Sequence, residues 1–540
     1  MIDFFKQLKR RKVYQTSAAY AAIAFVIMQV VEIIFPMFEI PIWVGRFIVI
    51  ALIIGFPITI ILSWMYERTS SGVVREKDAP ILDSSKLYIA VLPFADLSPN
   101  KDKTYFCEGV SEELINQLSQ VKGLQLVSRT SSFKFKKEDS DIKKIGNMLN
   151  VKLIVEGSIQ FSNNDVRISA RLTSVDSGFQ IWTERYDRKL DNIFDIQDEI
   201  ASSISLALEL EILGKDNKSI KRHSENVNAY KDYLKGRFSW NNRNKENLQE
   251  GIIHFTNAIN KDEKYSLAYS GLADSYSVQG WYNYNKPNSA YSKAKKHALK
   301  SIENSSVFSE GYISLAYINH HYDWDWAQAD FNFNKGIKLN PDYSVGHHWY
   351  SIFLSSRSNF TKAQIHISKA KELDPLSMVI KTAEGWINYM NQNYNKVIDI
   401  LEEEIHNDSS LPWAYYVLAQ AYEENKEYAL ALKNYKYACE LGNDSPFYLA
   451  GLGHMQALAG NTDNALKILE KLKALKEKSF ISSLDLALAG MGINEKDETL
   501  GLIKLGIEER VSHVPYLMVD PRFSNYVDDE LINIIENRKM

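Results

Sequence analysis

The chain has 540 residues, of which 45% are hydrophobic and 24% are charged. One hydrophobic core does not extend over such a length, so we expect three or four domains. The formal net charge of -4 excludes the strongly basic field that nucleic-acid binding uses. The two cysteines, Cys107 and Cys439, are far apart in sequence, which excludes a disulfide framework and a zinc knuckle.

The first 66 residues contain two apolar stretches, at about 13–35 and 42–66, separated by Pro36 and Pro41. Each stretch exceeds about twenty residues, which is the length of a membrane-crossing helix. Proline cannot continue a helix, so the two stretches are predicted to be separate helices. The sequence therefore predicts a transmembrane helical hairpin. A cleaved signal peptide is the rival interpretation, but its apolar region would be shorter and single.

The flanking charges predict the orientation of this hairpin. Residues 6–12 are rich in lysine and arginine, and basic flanks stay on the cytoplasmic side. We therefore expect a bacterial inner-membrane protein with two spans, whose N-terminus and main soluble part are cytoplasmic. Glu32 and Arg46 would lie at similar depth, where they either pair with each other or both reach the interface.

A polar linker at 67–86 precedes a region in which strand and helix patterns alternate. The predicted strands are 87–94, 124–127, 151–159, 166–173 and 179–186, and the predicted helices are 109–121, 142–149 and 193–208. This order, β-α-β-α-β-β-β-α, predicts an α/β sandwich domain over 87–213.

Five segments of this domain carry a family pattern: IAVLPFADLS at 89–98, YFCEGVSEELINQLS at 105–119, VEGSI at 155–159, RISARL at 167–172 and WTERYDR at 182–188. Together they resemble the TolB amino-terminal-like domain, which bacteria often place before tetratricopeptide repeats. In many such proteins an adenylyl cyclase domain or a CadC-like winged helix stands at the N-terminus, whereas this chain has the predicted hairpin there. The resemblance implies a fold and a signalling or envelope context, but no reaction.

The sequence lacks the motifs of the common catalytic sites. It has no P-loop, dinucleotide fingerprint, Gly-x-Ser-x-Gly or HExxH. Asp96, Asp102 and Glu108 form a polar loop, for which a structural role is favoured over a metal or acid–base site. Gly157 is predicted to permit close packing or a bulge rather than phosphate binding. We therefore predict no enzyme, with no catalytic, cofactor-binding or metal-binding residue.

A second linker at 214–226 leads into a region with a period of thirty-four residues. Small or apolar residues recur at this spacing: Ala363, Val397, Ala431 and Ala465 form one series, and Ser351, Gly385, Ala419, Gly453 and Ala487 form another. The spacing and residue types resemble the tetratricopeptide repeat. The resemblance implies an all-α solenoid over 227–540, with about 7–8 helix pairs and a concave groove that binds a protein or peptide.

Three aromatic residues near loops are the candidate partner-binding residues: Trp240, Trp281 and Tyr284. Large aromatic side chains dominate binding interfaces, although they are also ordinary repeat filler. Two adjacent histidine pairs are interpreted as core or surface residues rather than metal ligands: His320, His321, His347 and His348. Asp325 is predicted to cap a helix, and the tail after Pro515 is predicted to cover the last hairpin.

These patterns together predict a membrane-anchored scaffold or regulatory adaptor of a bacterial signalling or envelope system. Its expected partners are a protein or peptide in the groove and the lipid bilayer, with no nucleic acid and no cofactor. The alternative is a regulatory, small-ligand-binding component of an adenylyl-cyclase-type system. A third possibility is an envelope-facing assembly factor with the inverted orientation.

Overall fold

The structure is a computed structural model that describes most of residues 20–537. The residues outside the description are 1–19, 22, 32–34, 36–37, 39–40, 70–71, 76–85, 99–100, 120, 122, 136–140, 163–164, 190–192, 194–195, 198, 201–202, 205–223, 225, 242–243, 408–409 and 538–540; residues 42, 58–69 and 72–75 are described in backbone only. The chain divides into two compact units, Met1–Asp83 and Ser84–Met540.

In the first unit, helical residues at 20–21 and 23–31 precede a long helix and a two-stranded ribbon. Helix α1 spans Ile42–Met65 and has Pro57 inside it. Strands β1 (Tyr66–Thr69) and β2 (Gly72–Arg75) pair in antiparallel fashion. The ribbon lies at the start of the predicted polar linker, and the linker itself stays a prediction.

The predicted transmembrane hairpin is wrong by this structure, and the predicted two-span inner-membrane localisation is wrong with it. Within the part of the chain that the structure describes, no helix combines the length and the apolarity that a membrane crossing requires. Glu32 lies outside the described residues, and so does its predicted pairing with Arg46.

The second unit begins with an α/β domain built on a mixed sheet. Its elements are β3 (Leu87–Val91), β4 (Ala95–Asp96), α2 (Thr104–Leu118), β5 (Leu124–Leu126), α3 (Arg129–Ser132), α4 (Ile142–Leu149), β6 (Leu153–Ser162), β7 (Asp165–Ser174) and β8 (Gln180–Lys189). The strand order is β5-β3-β6-β7-β8, with β4 also pairing with β6. Strands β3, β4, β5 and β6 run parallel, and β6, β7 and β8 are antiparallel neighbours. The predicted order of strands and helices is observed from β3 to β8, with β4 and α3 as additions, whereas the third predicted helix, 193–208, lies partly outside the described residues and stays a prediction.

The sheet buries one side of the alternating strands. In β7, Val166, Ile168 and Leu172 are at most 1% exposed, whereas Arg167 is exposed. The third predicted helical stripe is also buried, since Ile193, Ile196, Ile200 and Ile204 are fully covered, while Leu208 lies outside the described residues. Alternation in the strands and the 3.6-residue period in the helices therefore predicted this core.

Gly157 in β6 lies where the sequence predicted close packing. A Cβ added there would come within 2.4 Å of the Ser169 carbonyl oxygen and within 2.6 Å of the Phe94 ring. The main chain of β7 therefore leaves no room for a side chain at this position.

The remainder of the second unit is a tetratricopeptide-like superhelix of antiparallel helical hairpins. The described residues form eight successive hairpins: α5 (Val227–Asn241) with α6 (Lys245–Lys261), α7 (Ser266–Trp281) with α8 (Pro287–Asn304), α9 (Ser309–Ile318) with α10 (Trp326–Leu339), α11 (Ser344–Ser356) with α12 (Phe360–Leu373), α13 (Met378–Met390) with α14 (Tyr394–Asn407), α15 (Pro412–Glu424) with α16 (Tyr428–Leu441), α17 (Pro446–Leu458) with α18 (Thr462–Lys476), and α19 (Ser483–Gly490) with α20 (Lys496–Glu508). A π-helical turn, Asn319–Asp323, follows α9, and a C-terminal helix, α21, spans Asp529–Asn537.

The thirty-four-residue period places small residues where the helices cross. Ser351, Ala419 and Ala487 are fully buried on the first helices of their hairpins. A Cβ on Gly385 would lie 3.0 Å from Leu401 on the paired helix, so any larger side chain would push the two helices apart. Asp325 caps α10 by accepting a hydrogen bond from the Gln328 backbone N–H at 3.0 Å, as predicted.

The α/β domain docks on the array through buried hydrogen bonds. Ser131 Oγ donates to Asp374 Oδ1 at 2.5 Å and accepts from the Leu376 backbone N–H at 2.7 Å. The Ser128 N–H donates to the Leu373 carbonyl at 2.6 Å. Asp374 is only 3% exposed, and burial raises its pKa to about 6. The loop that joins α12 to α13 is thus tied directly to the α/β domain.

Candidate functional site

The inner side of the array encloses a cavity of about 380 Å³, which we call the chamber. Its walls come from the first helices of six consecutive hairpins, α5, α7, α9, α11, α13 and α15, and from α16 and α17. One cavity contacts so many successive hairpins only on the concave side of a curved array. The volume falls within the range of roughly 300–1,000 Å³ that is usual for ligand sites.

The chamber is aromatic and uncharged. Seven tryptophan and tyrosine side chains line it: Trp281, Tyr282, Tyr284, Tyr317, Trp349, Trp413 and Tyr448. None of its lining residues, as far as the chain is described, is an aspartate, glutamate, lysine or arginine. Its His321 is buried, and burial lowers the pKa of that imidazole to about 3, so it is neutral at physiological pH. The surface therefore fits an apolar or aromatic segment better than a charged one.

The structure brings together two of the three aromatic residues that the sequence singled out. Trp281 ends α7, and Tyr284 follows it in the next loop, where its ring stacks on Tyr282 at 5.6 Å. Both line the chamber. Trp240 is only 2% exposed, lies in the hydrophobic core and is covered by the Arg237 guanidinium at 4.9 Å. Trp240 thus supports the first hairpin and does not reach the chamber wall.

The histidine pairs contact protein groups. His320 Nε2 lies 2.9 Å from Ser356 Oγ, and His321 Nε2 lies 3.0 Å from the Tyr516 hydroxyl. His347 Nδ1 lies 2.9 Å from His366 Nδ1. Within the described residues, no group of three or more potential ligands could hold a metal ion.

Residues 510–523, which we call the C-terminal segment, run through the interior of the array. Near its start, Ser512 Oγ lies 2.8 Å from the Tyr291 hydroxyl of the second hairpin. Further on, Asp520 Oδ1 accepts from the Tyr389 hydroxyl of the fifth hairpin at 3.1 Å. At its end, Arg522 donates to the Tyr416 hydroxyl of the sixth hairpin at 3.1 Å. Residues 510–523 therefore lie inside the array, and the prediction that the tail after Pro515 covers the last hairpin stays a prediction.

A smaller cavity of about 40 Å³, which we call the inner pocket, shares Trp281 and Trp413 with the chamber. Trp386, Phe447 and Tyr516 complete its aromatic walls. The edge-to-face contact of Trp281 with Trp386, at 5.9 Å and 80°, fixes the orientation of these rings. The inner pocket is therefore a side cavity of the chamber, and part of its wall belongs to the C-terminal segment.

The inner pocket contains buried polar groups with few partners. Gln420 is 1% exposed, and neither its amide oxygen nor its amide nitrogen has a hydrogen-bond partner within the described structure. The same holds for both ring nitrogens of His513, whose pKa burial lowers to about 3. Asp485 accepts a hydrogen bond from Asn283 at 3.2 Å, and burial raises its pKa to about 7. Buried polar groups without partners are uncommon, so they require an explanation.

Sequence reasoning missed Gln420, Asp485 and His513. They lie on α15, on α19 and in the C-terminal segment, and only the superhelical curvature brings them to one cavity. Gln420 directly follows Ala419 of the thirty-four-residue series, but adjacent residues lie on different faces of a helix, so the register does not predict its burial. The sequence holds no signal that it faces a cavity.

The α/β domain has a cavity of its own, of about 310 Å³, on a face of the sheet. Glu156 and Arg171 line it and pair across β6 and β7 at 2.7 Å between Oε1 and Nε. The two opposite charges of this cavity therefore neutralise each other. We call it the sheet-face cavity.

Fold and site together define a helical-repeat protein with an internal cavity, joined to an α/β domain. No protein-family model matches the chain. A curated relative from Rhizobium meliloti (strain 1021), described as Putative adenylate cyclase 3, is 37% identical over 147 residues, which are 27% of this chain and 25% of the relative. The chain thus matches about a quarter of that relative's length.

Three solved structures show limited likeness to this chain. Pseudomonas aeruginosa pilF has 16% identity and a TM-score of 0.29, covering 39% of this chain and 95% of its own. A tetratricopeptide repeat protein from Parabacteroides merdae has 14% identity and a TM-score of 0.35, covering 49% and 99%. Yeast Tom70 has 18% identity and a TM-score of 0.37, covering 64% and 78%. Such TM-scores do not establish a common overall fold, whereas the hairpins of this array are observed directly.

Proposed function

We propose that this protein is a non-enzymatic adaptor that binds an extended, largely apolar segment of a protein partner in the chamber. The observation that supports this proposal is the path of the C-terminal segment. It is a non-repeat stretch of polypeptide that already contacts the second, third, fifth and sixth hairpins from inside. The concave face therefore has the hydrogen-bonding groups and the aromatic surface that a polypeptide segment requires.

The shape of the chamber also favours a peptide. It contacts hairpins one to seven in succession, so an extended chain could contact several walls at once. Its aromatic rings have the large, rigid contact area that interface hot spots use. Because no charged side chain lines it in the described residues, we expect apolar and aromatic side chains to anchor the segment.

A second candidate function follows from the curated relative. Its name, Putative adenylate cyclase 3, and the TolB amino-terminal-like pattern favour a regulatory, small-ligand-binding component of a bacterial adenylyl-cyclase-type signalling system. The sheet-face cavity would be the ligand site in that case. Its two charged residues, however, already pair with each other, so a ligand would have to displace an existing ion pair.

Two leucines allow a matched test of the first proposal. Leu441 lines the chamber and is 43% exposed, whereas Leu458 lies outside both cavities and is 44% exposed. Each is the last residue of its helix, α16 or α17. A glutamate at either position has similar consequences for folding, but only Leu441→Glu introduces a charge into the chamber.

The probe is a phage-displayed library of random peptides selected on the full-length chain. We expect selected peptides rich in aromatic residues, whose affinity falls about tenfold or more in Leu441→Glu and stays unchanged in Leu458→Glu. If no peptide discriminates between the two variants, the chamber is not a peptide site. Binding of an adenine nucleotide that is lost in Arg171→Leu and kept in Leu441→Glu would favour the second candidate instead.

A further inference from the structure

The inner pocket is too small for a peptide but larger than a site for a single water. A water requires about 10–15 Å³ of cavity volume by the same measure, against about 40 Å³ here. Trp281 and Trp413 belong to both cavities, so the inner pocket is next to whatever occupies the chamber. It therefore has room for the end of one side chain.

The polar groups of the inner pocket can supply hydrogen-bond acceptors. The Asp485 carboxylate has a single side-chain donor, Asn283, within the described structure. Gln420 Oε1 has no donor, and neither ring nitrogen of His513 has a partner. A neutral imidazole presents one acceptor nitrogen, so the three residues together supply acceptors on three different side chains.

The inner pocket also contains a carboxylate, Asp485, whose negative charge is not compensated by a cation among the described residues. Arg522 lines it but is bound to Asp520 through two contacts, Nη2 to Oδ2 at 2.6 Å and Nε to Oδ1 at 3.0 Å. Asp485 has no cation among the groups that influence it; its neighbour Glu509 adds a further negative charge. An uncompensated carboxylate in an apolar cavity favours an incoming cation and disfavours an anion.

The walls of the inner pocket suit a cation as well. Trp281, Trp386, Trp413 and Phe447 surround it. The faces of aromatic rings, tryptophan above all, attract ammonium groups through their quadrupoles. A purely apolar occupant would leave Gln420 and His513 without partners, and an anion would face Asp485.

We propose that the inner pocket binds the protonated primary amine of a lysine side chain that belongs to the peptide in the chamber. An ammonium group has three N–H donors and no acceptor, and these match in number the acceptor atoms of Asp485, Gln420 and His513. This inference rests on the proposed function, because the chamber must first hold a peptide. It adds a specificity element: an otherwise apolar segment with one lysine that reaches between Trp281 and Trp413.

The first experiment uses n-butylammonium, which reproduces the end of a lysine side chain, with 1-butanol as the uncharged control of the same shape. Both are titrated into the full-length chain at a pH of about 8, and tryptophan fluorescence is recorded because three tryptophans line the pocket. We expect a saturable change with the ammonium compound and none with the alcohol. An equal response to both compounds overturns the inference.

Two variants locate the response. Asp485→Asn keeps the shape of the side chain and removes its charge, so we expect at least about a tenfold weaker affinity for n-butylammonium. Asp463→Asn, on the exposed surface of α18, is the matched control and should not change it. Gln420→Met is a second variant of similar volume, in which a smaller loss is expected. Unchanged binding in both Asp485→Asn and Gln420→Met overturns the inference.

The selected peptides distinguish this inference from the proposed function. In a peptide that contains lysine, replacement of that lysine by norleucine should weaken binding to the wild-type chain about tenfold and have no effect in Asp485→Asn. If peptides bind and depend on Leu441 without any preference for lysine, the inference fails and the proposed function stands. If n-butylammonium binds through Asp485 while no peptide binds, a free amine is the ligand and the proposed function fails.

Discussion

The sheet-face cavity and the inner pocket differ in how their polar groups are satisfied. In the sheet-face cavity, Glu156 and Arg171 pair at 2.7 Å, so their opposite charges compensate each other. In the inner pocket, Gln420 and His513 have no partner within the described structure, and Asp485 has no cation. The sheet-face cavity is the larger of the two, but its charged groups already have partners, whereas Gln420 and His513 of the inner pocket have none in the described structure. Unsatisfied buried groups identify a binding site better than volume does.

The first prediction tests whether the interior of the array depends on the C-terminal segment. Tyr516 is 2% exposed, packs on Trp386 at 4.5 Å and contacts His321 Nε2 at 3.0 Å. Tyr516→Ala removes a ring from the wall of the inner pocket and should lower the free energy of unfolding by about 3–5 kcal/mol. Urea denaturation followed by tryptophan fluorescence measures the loss.

Tyr526→Ala is the control for this change. Tyr526 also lies in the C-terminal tail but is half-buried, so its replacement should cost about 1 kcal/mol. Equal losses in the two variants would mean that the tail stabilises the array without regard to the interior contacts.

The second prediction concerns the carboxyl group of Asp374, which joins the α/β domain to the helical array. Burial raises the pKa of Asp374 to about 6 from its ordinary value of 3.8, so the folded state binds this proton more tightly than the unfolded state does. The contribution of Asp374 to the free energy of unfolding should therefore be greatest below a pH of about 4. It should fall as the pH rises to about 6. The total change is about 3 kcal/mol.

Asp374→Asn removes this titration and keeps an acceptor for Ser131. Because Asp485 and Glu424 have raised pKa values as well, the diagnostic quantity is the difference between the two pH curves. We expect the variant to gain on the wild type as the pH rises from about 4 to about 7. Parallel curves over this range would show that Asp374 does not titrate at the junction.

The third prediction tests the rigidity of the sheet-face cavity. Gly157 lines that cavity, and a Cβ there would lie 2.4 Å from a carbonyl oxygen of the neighbouring strand. Gly157→Ala should cost about 1–3 kcal/mol because the backbone of β7 must shift. Hydrogen exchange of the β6 and β7 amides measures the effect where it arises.

Gly501→Ala, in the middle of α20, is the opposite case. A Cβ at Gly501 meets nothing within 4 Å, so alanine there should stabilise the helix by about 0.5–1 kcal/mol. If Gly157→Ala is tolerated equally well, the sheet face is more adaptable than its contacts indicate.

The smallest predicted effect is at the surface of the tail. Glu530 on α21 contacts Lys504 at 3.0 Å, and both side chains are largely exposed. Glu530→Gln should change the free energy of unfolding by less than about 1 kcal/mol. Glu536 on the same helix contacts Arg357 at 2.6 Å and is less exposed, so Glu536→Gln should cost more. If Glu530→Gln costs more than Glu536→Gln, the pair of Glu536 with Arg357 is not the ion pair that attaches α21.

Much of the fold was predictable because it depends on local periodicity. The period of two in β7 and the period of thirty-four in the array each specify which residues are buried. The two-span hairpin was predicted from apolar length alone, and the described structure does not support it. The TolB amino-terminal-like assignment stays a prediction, since no family model matches the chain.

The candidate site was predictable only in part. Trp281 ends α7 and Tyr284 lies in the loop after it, and both line the chamber, whereas Trp240 is buried in the core. The C-terminal segment belongs to no repeat, so no period indicates that it returns to contact Tyr291 and Tyr389.

The sequence by itself determined the order of the strands and helices, the stacking of hairpins and the small residues at their crossings. These features depend on neighbours that are close in sequence or a fixed period apart. Only the tertiary structure decided which polar groups share a cavity, because Gln420, Asp485 and His513 meet through the curvature of the array and the return of its own tail. Curvature is the sum of many small rotations between hairpins, and no single stretch of residues encodes it.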